Sequence, residues 1–371
     1  MPRKVVIAAN SSWNIANFRG GLVRGLKEAG YEPIAVAPED PASVERMDAL
    51  GIERVDIRIE RSGMNPVADL RLLRDYRDVL ARLKPVAFLG FTIKPNIYGS
   101  MAASGLGIPA IPNVSGLGTA FIRRGPLEWL VTRLYRRAFA RVPFVYFQNP
   151  DDRQLFVTRR IVDSDRTRLL PGSGVDLDQF APVEPVKGPP VFLLIGRMLR
   201  DKGVIEFVEA ARELCPQLKG ARFQLLGPVD EGNRTAISRA MIHGWVAEGI
   251  VEYLGATDDV RPFIANASAV VLPSYREGLP RSLLEAGAMA RPLIATHVPG
   301  CREVVEEGVN GFLCRPGDPD SLAAAMRKFA DLPAKSKAAM GQASRQKVQE
   351  RFSEKVVVRA YVDALSRLTG D

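Results

Sequence analysis

From residue 4 onward, short apolar segments alternate with longer amphipathic ones, and this alternation constrains the fold more than any other feature. Strands are predicted at 4–9, 32–37, 86–91, 110–111 and 144–147. Helices are predicted up to about residue 29, near 42–50, and at 69–83, 96–104 and 126–139, while 10–17 reads as a loop. A second run has strands at 191–195, 222–226, 251–254, 269–272, 292–295 and 312–314, with helices in the gaps. Such alternation is the pattern of a parallel sheet covered by helices on both faces. The Pro- and Gly-rich stretch 171–190 interrupts the periodicity and is the predicted linker. The expected organisation is α/β: one doubly wound domain over 1–170, a second over 171–352, and a helix over 353–371 that returns to the first. Two such domains facing each other leave a cleft, and open α/β sheets bind ligands beyond the carboxyl ends of their strands.

Composition narrows the class. The 371 residues suffice for two cores, and 46% hydrophobic with 25% charged residues is ordinary for a globular protein. No apolar run approaches a membrane span, and the N-terminal one is too short for a signal peptide, so a cytoplasmic protein is expected. Three scattered cysteines (Cys215, Cys301, Cys314) and two histidines (His243, His297) fit neither a disulfide framework nor a zinc site. Asp163 with Asp165, and Asp176 with Asp178, read as turn and cap residues. No catalytic metal and no cofactor are expected.

The net charge of +9 favours anionic partners. Much of the excess is local: Lys94, Arg123, Arg124, Arg133, Arg136, Arg137 and Arg141 face only Glu128 within residues 85–149. On a helix, Leu127, Leu130, Val131, Leu134 and Ala138 form one stripe. Arg133, Arg137 and Arg141 recur beside it, with Arg136 and Trp129 nearby. A basic amphipathic helix with an aromatic suits the anionic inner leaflet of a membrane, and a layer helix with a charged outer face is the alternative. No nucleic-acid-binding module is recognisable.

The segment 274–289, SYREGLPRSLLEAGAM, places Glu277 in a loop and Glu285 on the second turn of a helix that Pro280 would open as its first residue. Backbone N–H groups at 278–281 would lie between the two carboxylates. That suits a ligand with a central anion flanked by hydroxyls, such as a nucleotide diphosphate-sugar. Two carboxylates also fit the acid and base of a hydrolase. Upstream, strand 191–195 runs into Gly196, Arg197 and, after a short turn, Lys202. Two cations beside a helix start suit a diphosphate, and solvated surface charge is the plainer reading.

Together, Gly196-Arg197 with Lys202-Gly203, Glu277-Gly278-Leu279-Pro280 with Glu285-Ala286, Pro299-Gly300 and the run 308–313 (GVNGFL) resemble glycosyltransferase family 4 over essentially the whole chain. The resemblance implies a retaining enzyme of the GT-B fold, two Rossmann-like domains. It implies that Arg197 and Lys202 bind the donor diphosphate, that Glu285 meets the nucleotide ribose, and that Glu277 lies near the transferred sugar. The 278–280 backbone would meet phosphates or sugar, and Leu254-Gly255 would form the base-binding segment, usually for uracil.

In the first half, Phe18-Arg19, Ser62 with Asn65-Pro66, Lys94 with Asn96, and Gly116-Leu117-Gly118 are similar to a bacterial subgroup. Its members add an N-acetylhexosamine, often N-acetylgalactosamine, to an undecaprenyl-diphosphate-linked sugar. This implies a UDP-sugar donor and a lipid-linked sugar acceptor, with Asn17, Phe18, Arg19, Lys94, Asn96, Ser115 and Gly116 as acceptor-side residues. Relatives that carry a histidine near the transferred sugar are not matched, since no histidine precedes His243. A UDP-N-acetylglucosamine 2-epimerase shares the two-domain architecture and is the alternative enzyme.

Overall fold

The computed structural model describes residues 3–60, 65–116 and 125–370. Ser62, Leu117, Gly118, Arg123 and Arg124, and the side chain of Leu127, lie outside the described residues. The chain divides into two compact units, Met1–Ser173 with Glu354–Asp371, and Gly174–Ser353.

Unit 1 holds seven parallel strands: β1 (Arg3–Ala8), β2 (Tyr31–Val36), β3 (Glu53–Val55), β4 (Ala87–Phe91), β5 (Ala110–Val114), β6 (Val145–Phe147) and β7 (Thr167–Leu169). Their order is β3-β2-β1-β4-β5-β6-β7, so the winding reverses between β1 and β4. The helices are α1 (Ser12–Phe18), α2 (Gly20–Glu28), α3 (Val44–Ala49), α4 (Pro66–Leu83), α5 (Ser100–Gly105), α6 (Pro126–Phe139) and α7 (Pro150–Thr158), with a π-helical turn at Pro95–Gly99. Successive strand residues face opposite sides. Val6 and Ala8 join the core formed with α4, α5 and α6, whereas Val5 and Ile7 join the core formed with α2. Both faces are covered, which is why β1 reads as an unbroken apolar run.

Four segments of unit 1 depart from expectation, the unpredicted edge strand β7 among them. Residues 12–18 form α1 rather than a loop, because the Ser11 hydroxyl accepts from Asn14 N and nucleates the turn. Strand β3 is a short, largely exposed partner of β2. Helix α7 starts with an Asn149 cap, Pro150 and two first-turn aspartates.

Unit 2 holds β8 (Val191–Ile195), β9 (Arg222–Leu226), β10 (Glu252–Tyr253), β11 (Ala269–Leu272), β12 (Leu293–Thr296) and β13 (Gly311–Cys314), all parallel, in the order β10-β9-β8-β11-β12-β13. Here the winding reverses between β8 and β11, which pair directly through Leu193↔Val270 and Leu194↔Val271. The helices are α8 (Val204–Leu214), α9 (Arg239–Ala247), α10 (Arg261–Ala265), α11 (Arg281–Ala288), α12 (Cys301–Val304), α13 (Pro319–Ala330) and α14 (Ala334–Arg351). Phe192 and Leu194 enter one core and Leu193 the other.

The chain then re-enters unit 1 as α15 (Glu354–Thr369). Val357, Tyr361 and Leu365 bury into the β1 side of that unit, and the Tyr361 hydroxyl accepts from Asn113 Nδ2 at 3.0 Å. The backbones of α2 and α15 come close enough that a Cβ on Gly21 would stand 1.6 Å from Glu354 Cδ, and one on Gly25 2.1 Å from Val358 Cγ1. Among the described residues no helix is long and apolar enough to cross a membrane.

Candidate functional site

Each sheet has one reversal point, and loops on both sides of such a point open at the carboxyl ends of adjacent strands. In unit 2 the loops after β8 and β11 meet there. Residues Arg200–Lys202 form a tight turn closed by Gly203, whose φ of +72° starts α8. A Cβ on Gly203 would stand 2.1 Å from the carbonyl oxygen of Pro273, so only glycine lets the two strand ends approach this closely. Tyr275 N donates to Asp201 O at 3.0 Å and ties the loops together. Lys202 Nζ is thereby held in an ion pair with Glu277 Oε1. Both side chains are largely buried, at 25% and 12% exposure.

Glu277 and Gly278 are gripped from the other side by Gly300, after β12. At φ +83°, its α-carbon lies against their carbonyl oxygens; a Cβ there would stand 2.8 Å from Glu277 O and 2.6 Å from Gly278 O. Pro280 is the N-cap of α11 rather than its first residue, with extended backbone and no side-chain cap. Glu285 lies on the second turn, as expected, paired with Arg281 Nε at 2.6 Å. Burial pushes its carboxyl above the ordinary range, and the charge of Arg281 and its hydrogen bond oppose the shift. Leu279 packs on the core beneath.

Lys202 and Glu277 are thus brought together, whereas Arg197 is more exposed and pairs with Asp230 of the loop after β9 at 2.9 Å. Gly196 N donates to Leu226 O at 2.9 Å. Gly255 follows β10 and accepts from Gly227 N at 2.8 Å, while Leu254 N donates to Leu225 O. Asp230, Gly227 and Gly300's grip on the 277–278 loop complete the setting. Gly227 was legible as a strand-ending glycine like Gly196, but the pairing of Asp230 with Arg197 has no local signal.

In unit 1 the residues expected on the acceptor side scatter in role. Asn17 and Phe18 lie on α1, where Asn17 accepts from Arg46 and Phe18 meets the Trp13 ring edge-on at 5.3 Å. Arg19 is 5% exposed with its guanidinium 4.0 Å over the Phe91 ring. Asn96 is fully buried and donates to Asn113 O at 2.8 Å, bracing the ends of β4 and β5 instead of facing solvent. Lys94 pairs with buried Asp69 at 2.8 Å. Ser115 and Gly116 are half-buried just beyond β5.

The basic helix α6 buries Val131, Tyr135, Ala138 and Phe139. Arg133, Arg137 and Arg141 are exposed, and Trp129 is 61% exposed with Arg133 5.0 Å over its ring. Arg136 differs: it donates to the carbonyls of Arg159 and Arg160, at 2.8 and 3.0 Å, and closes the end of α7. Among the described residues no group of three or more His, Cys, Asp or Glu is arranged to hold a metal ion.

The model of the glycosyl transferase 4-like domain matches residues 15–172, and that of the group 1 glycosyl transferases matches 189–331. The chain belongs to glycosyltransferase family 4. This glycosyltransferase is 27% identical over 327 residues to the N,N'-diacetylbacillosaminyl-diphospho-undecaprenol alpha-1,3-N-acetylgalactosaminyltransferase of Campylobacter jejuni, covering 83% of this chain and 84% of that protein. It is 22% identical over 335 residues to an Escherichia coli UDP-Gal:alpha-D-GlcNAc-diphosphoundecaprenol alpha-1,3-galactosyltransferase, with 78% and 84% covered. Anabaena HepE, solved in complex with UDP and glucose, superposes with a TM-score of 0.81 at 17% identity over 99% of this glycosyltransferase and 100% of that chain. The fold is GT-B, as expected.

Proposed function

We propose that this glycosyltransferase moves an N-acetylhexosamine, such as N-acetylgalactosamine, from a UDP-sugar to an undecaprenyl-diphosphate-linked sugar in surface polysaccharide or glycan assembly, with retention at the anomeric carbon. The observation that carries the reading is the Lys202–Glu277 pair at the β8/β11 reversal point. The names of the Campylobacter and E. coli relatives support the lipid-linked acceptor, and those of the E. coli relative and HepE support the UDP-sugar.

The difficult event is cleavage of the anomeric C–O bond. Positive charge grows on the sugar ring and negative charge on the departing diphosphate. Lys202, Arg197 and the α11 start are the groups of unit 2 that can meet that negative charge, and donors fixed in advance need no reorganisation as the charge develops. Glu277 holds Lys202 in place and reaches toward the sugar. Glu285 accepts from ribose hydroxyls. The acceptor oxygen forms the new bond on the face the UDP leaves, and its proton passes to a phosphate oxygen of the departing UDP. In this reading the cations do the work of a metal, and no cofactor takes part. Trp129, Arg133 and Arg137 of α6 rest on the anionic cytoplasmic leaflet, where the lipid-linked acceptor resides.

The test is a panel of UDP-sugars against undecaprenyl-diphosphate-linked acceptors, read by mass spectrometry. Acceptor-dependent transfer is expected, abolished in Lys202→Ala. An epimerised nucleotide sugar formed without any acceptor overturns transfer in favour of epimerisation.

A further inference from the structure

Unit 1 contains a cavity of about 770 Å³ beyond the carboxyl ends of β2, β3 and β4, closed on one side by the first turns of α4. None of the acceptor-side residues picked out by sequence lines it except Lys94. Its size lies within the roughly 300–1,000 Å³ typical of small-molecule sites.

Ile57 and Leu72 supply buried apolar wall. Lys94 is fixed there by Asp69, which also accepts from the Tyr98 hydroxyl at 2.9 Å, so both carboxylate oxygens are engaged and the ammonium cannot swing freely. Arg58 and Arg71 also line the cavity, and neither has an ion pair or hydrogen bond among the described residues. The lining carries three cations (Arg58, Arg71, Lys94) against five carboxylates, Glu39 and Asp75 among them. That excess of negative charge disfavours a phosphate or diphosphate. Mixed carboxylate and guanidinium groups beside an apolar wall instead offer acceptors and donors to hydroxyl and amide groups on a ring with an apolar face.

We infer that this cavity is a saccharide subsite that holds the sugar portion of the acceptor, with Arg71 and Asp75 of α4 as its hydrogen-bonding pair and Asp69 as the residue that positions Lys94. The inference rests on the proposed transfer reaction for the identity of the sugar, but not for the existence of the site.

Binding is read by saturation-transfer NMR with methyl N-acetyl-α-D-glucosaminide and methyl N-acetyl-α-D-galactosaminide, in saturating UDP so that unit 2 is occupied. Signals are expected with the wild-type chain, and are expected to be lost in Arg71→Ala and Asp75→Asn whose circular dichroism and UDP binding are unchanged. In turnover assays the same two variants should raise the acceptor KM at least tenfold while slow hydrolysis of the UDP-sugar in water is unaffected. Asp69→Asn should raise the acceptor KM as well, with kcat close to wild type. Absence of saccharide signals in the wild type, their persistence in Arg71→Ala and Asp75→Asn, or their displacement by inorganic diphosphate overturns the proposal. If no lipid-linked acceptor is ever glycosylated but the saccharide signals map to these residues, the transfer reading fails and the saccharide site stands.

Discussion

Gly300→Ala tests whether the position of the 277–278 loop matters for turnover. Gly300 sits at φ +83°, where an alanine costs about 1–3 kcal/mol. Its Cβ would also stand 2.6 Å from Gly278 O, whereas ordinary carbon–oxygen contact begins near ~3.3 Å, so the loop must retreat by roughly 0.7 Å. Glu277 would be displaced relative to Lys202 by a similar distance, and their ion pair would lose its geometry. A displacement of about 1 Å in a positioned group can cost ~100-fold in rate, so kcat/KM for the UDP-sugar is expected to fall by roughly 10–100-fold. Gly308→Ala is the control: Gly308 sits at φ +75° but an added Cβ meets nothing within 4 Å. Both variants should lose thermal stability, between about 2 and 12 °C in Tm for a unit of this size. Only Gly300→Ala should lose the activity. Equal turnover by the two folded variants, measured as UDP release at saturating acceptor, refutes the argument that the loop's position sets the rate.

Two further expectations concern charge. Desolvation holds the Glu285 carboxyl above its ordinary range. A carboxyl with a raised folded-state pKa favours the fold while protonated; that contribution is fully present below the unfolded value of about 4.3 and is lost as pH rises through the folded value. Glu285→Gln should therefore melt above wild type at pH 7, the gain fading as pH falls toward about 4, while UDP binding by calorimetry weakens; a pH-independent difference in Tm contradicts the assignment. On α6, Arg133→Glu with Arg137→Glu should weaken cosedimentation with anionic vesicles without changing Tm. Arg136→Ala should do the reverse, losing about 0.5–1.5 kcal/mol, because water can reach the two exposed carbonyls that Arg136 leaves.

The sheets were legible because each buried parallel strand is an apolar run bounded by turn residues: β8, β9 and β11 fall at the residues the pattern marks. Helix α1 was not, since its Asn-rich, weakly amphipathic stretch forms a helix only through the Ser11 cap and burial of Ile15. Strand β3 shows exposed Glu53 and Arg54 and exists because β2 offers it an edge. At the site, Arg197, Lys202 and Glu277 were visible as charges in loops that follow strands, and Glu285 as a carboxylate on the helix after such a loop. Their partners were not, because Lys202 meets Glu277 across 75 residues of chain and Arg197 meets Asp230 across 33. Asn96 shows a different limit: a polar residue after a strand reads as a ligand contact, and nothing in the sequence signals that its amide satisfies a buried backbone carbonyl 17 residues away.

The return of α15 to unit 1 fixes an order of events during synthesis. The Asn113–Tyr361 hydrogen bond joins residues 248 positions apart, and unit 2 is made in between. Until α15 is in place, unit 1 lacks the helix that fills the α2 groove at Gly21 and Gly25 and covers the apolar flank of β1. The half of the protein translated first is therefore the half whose core is completed last.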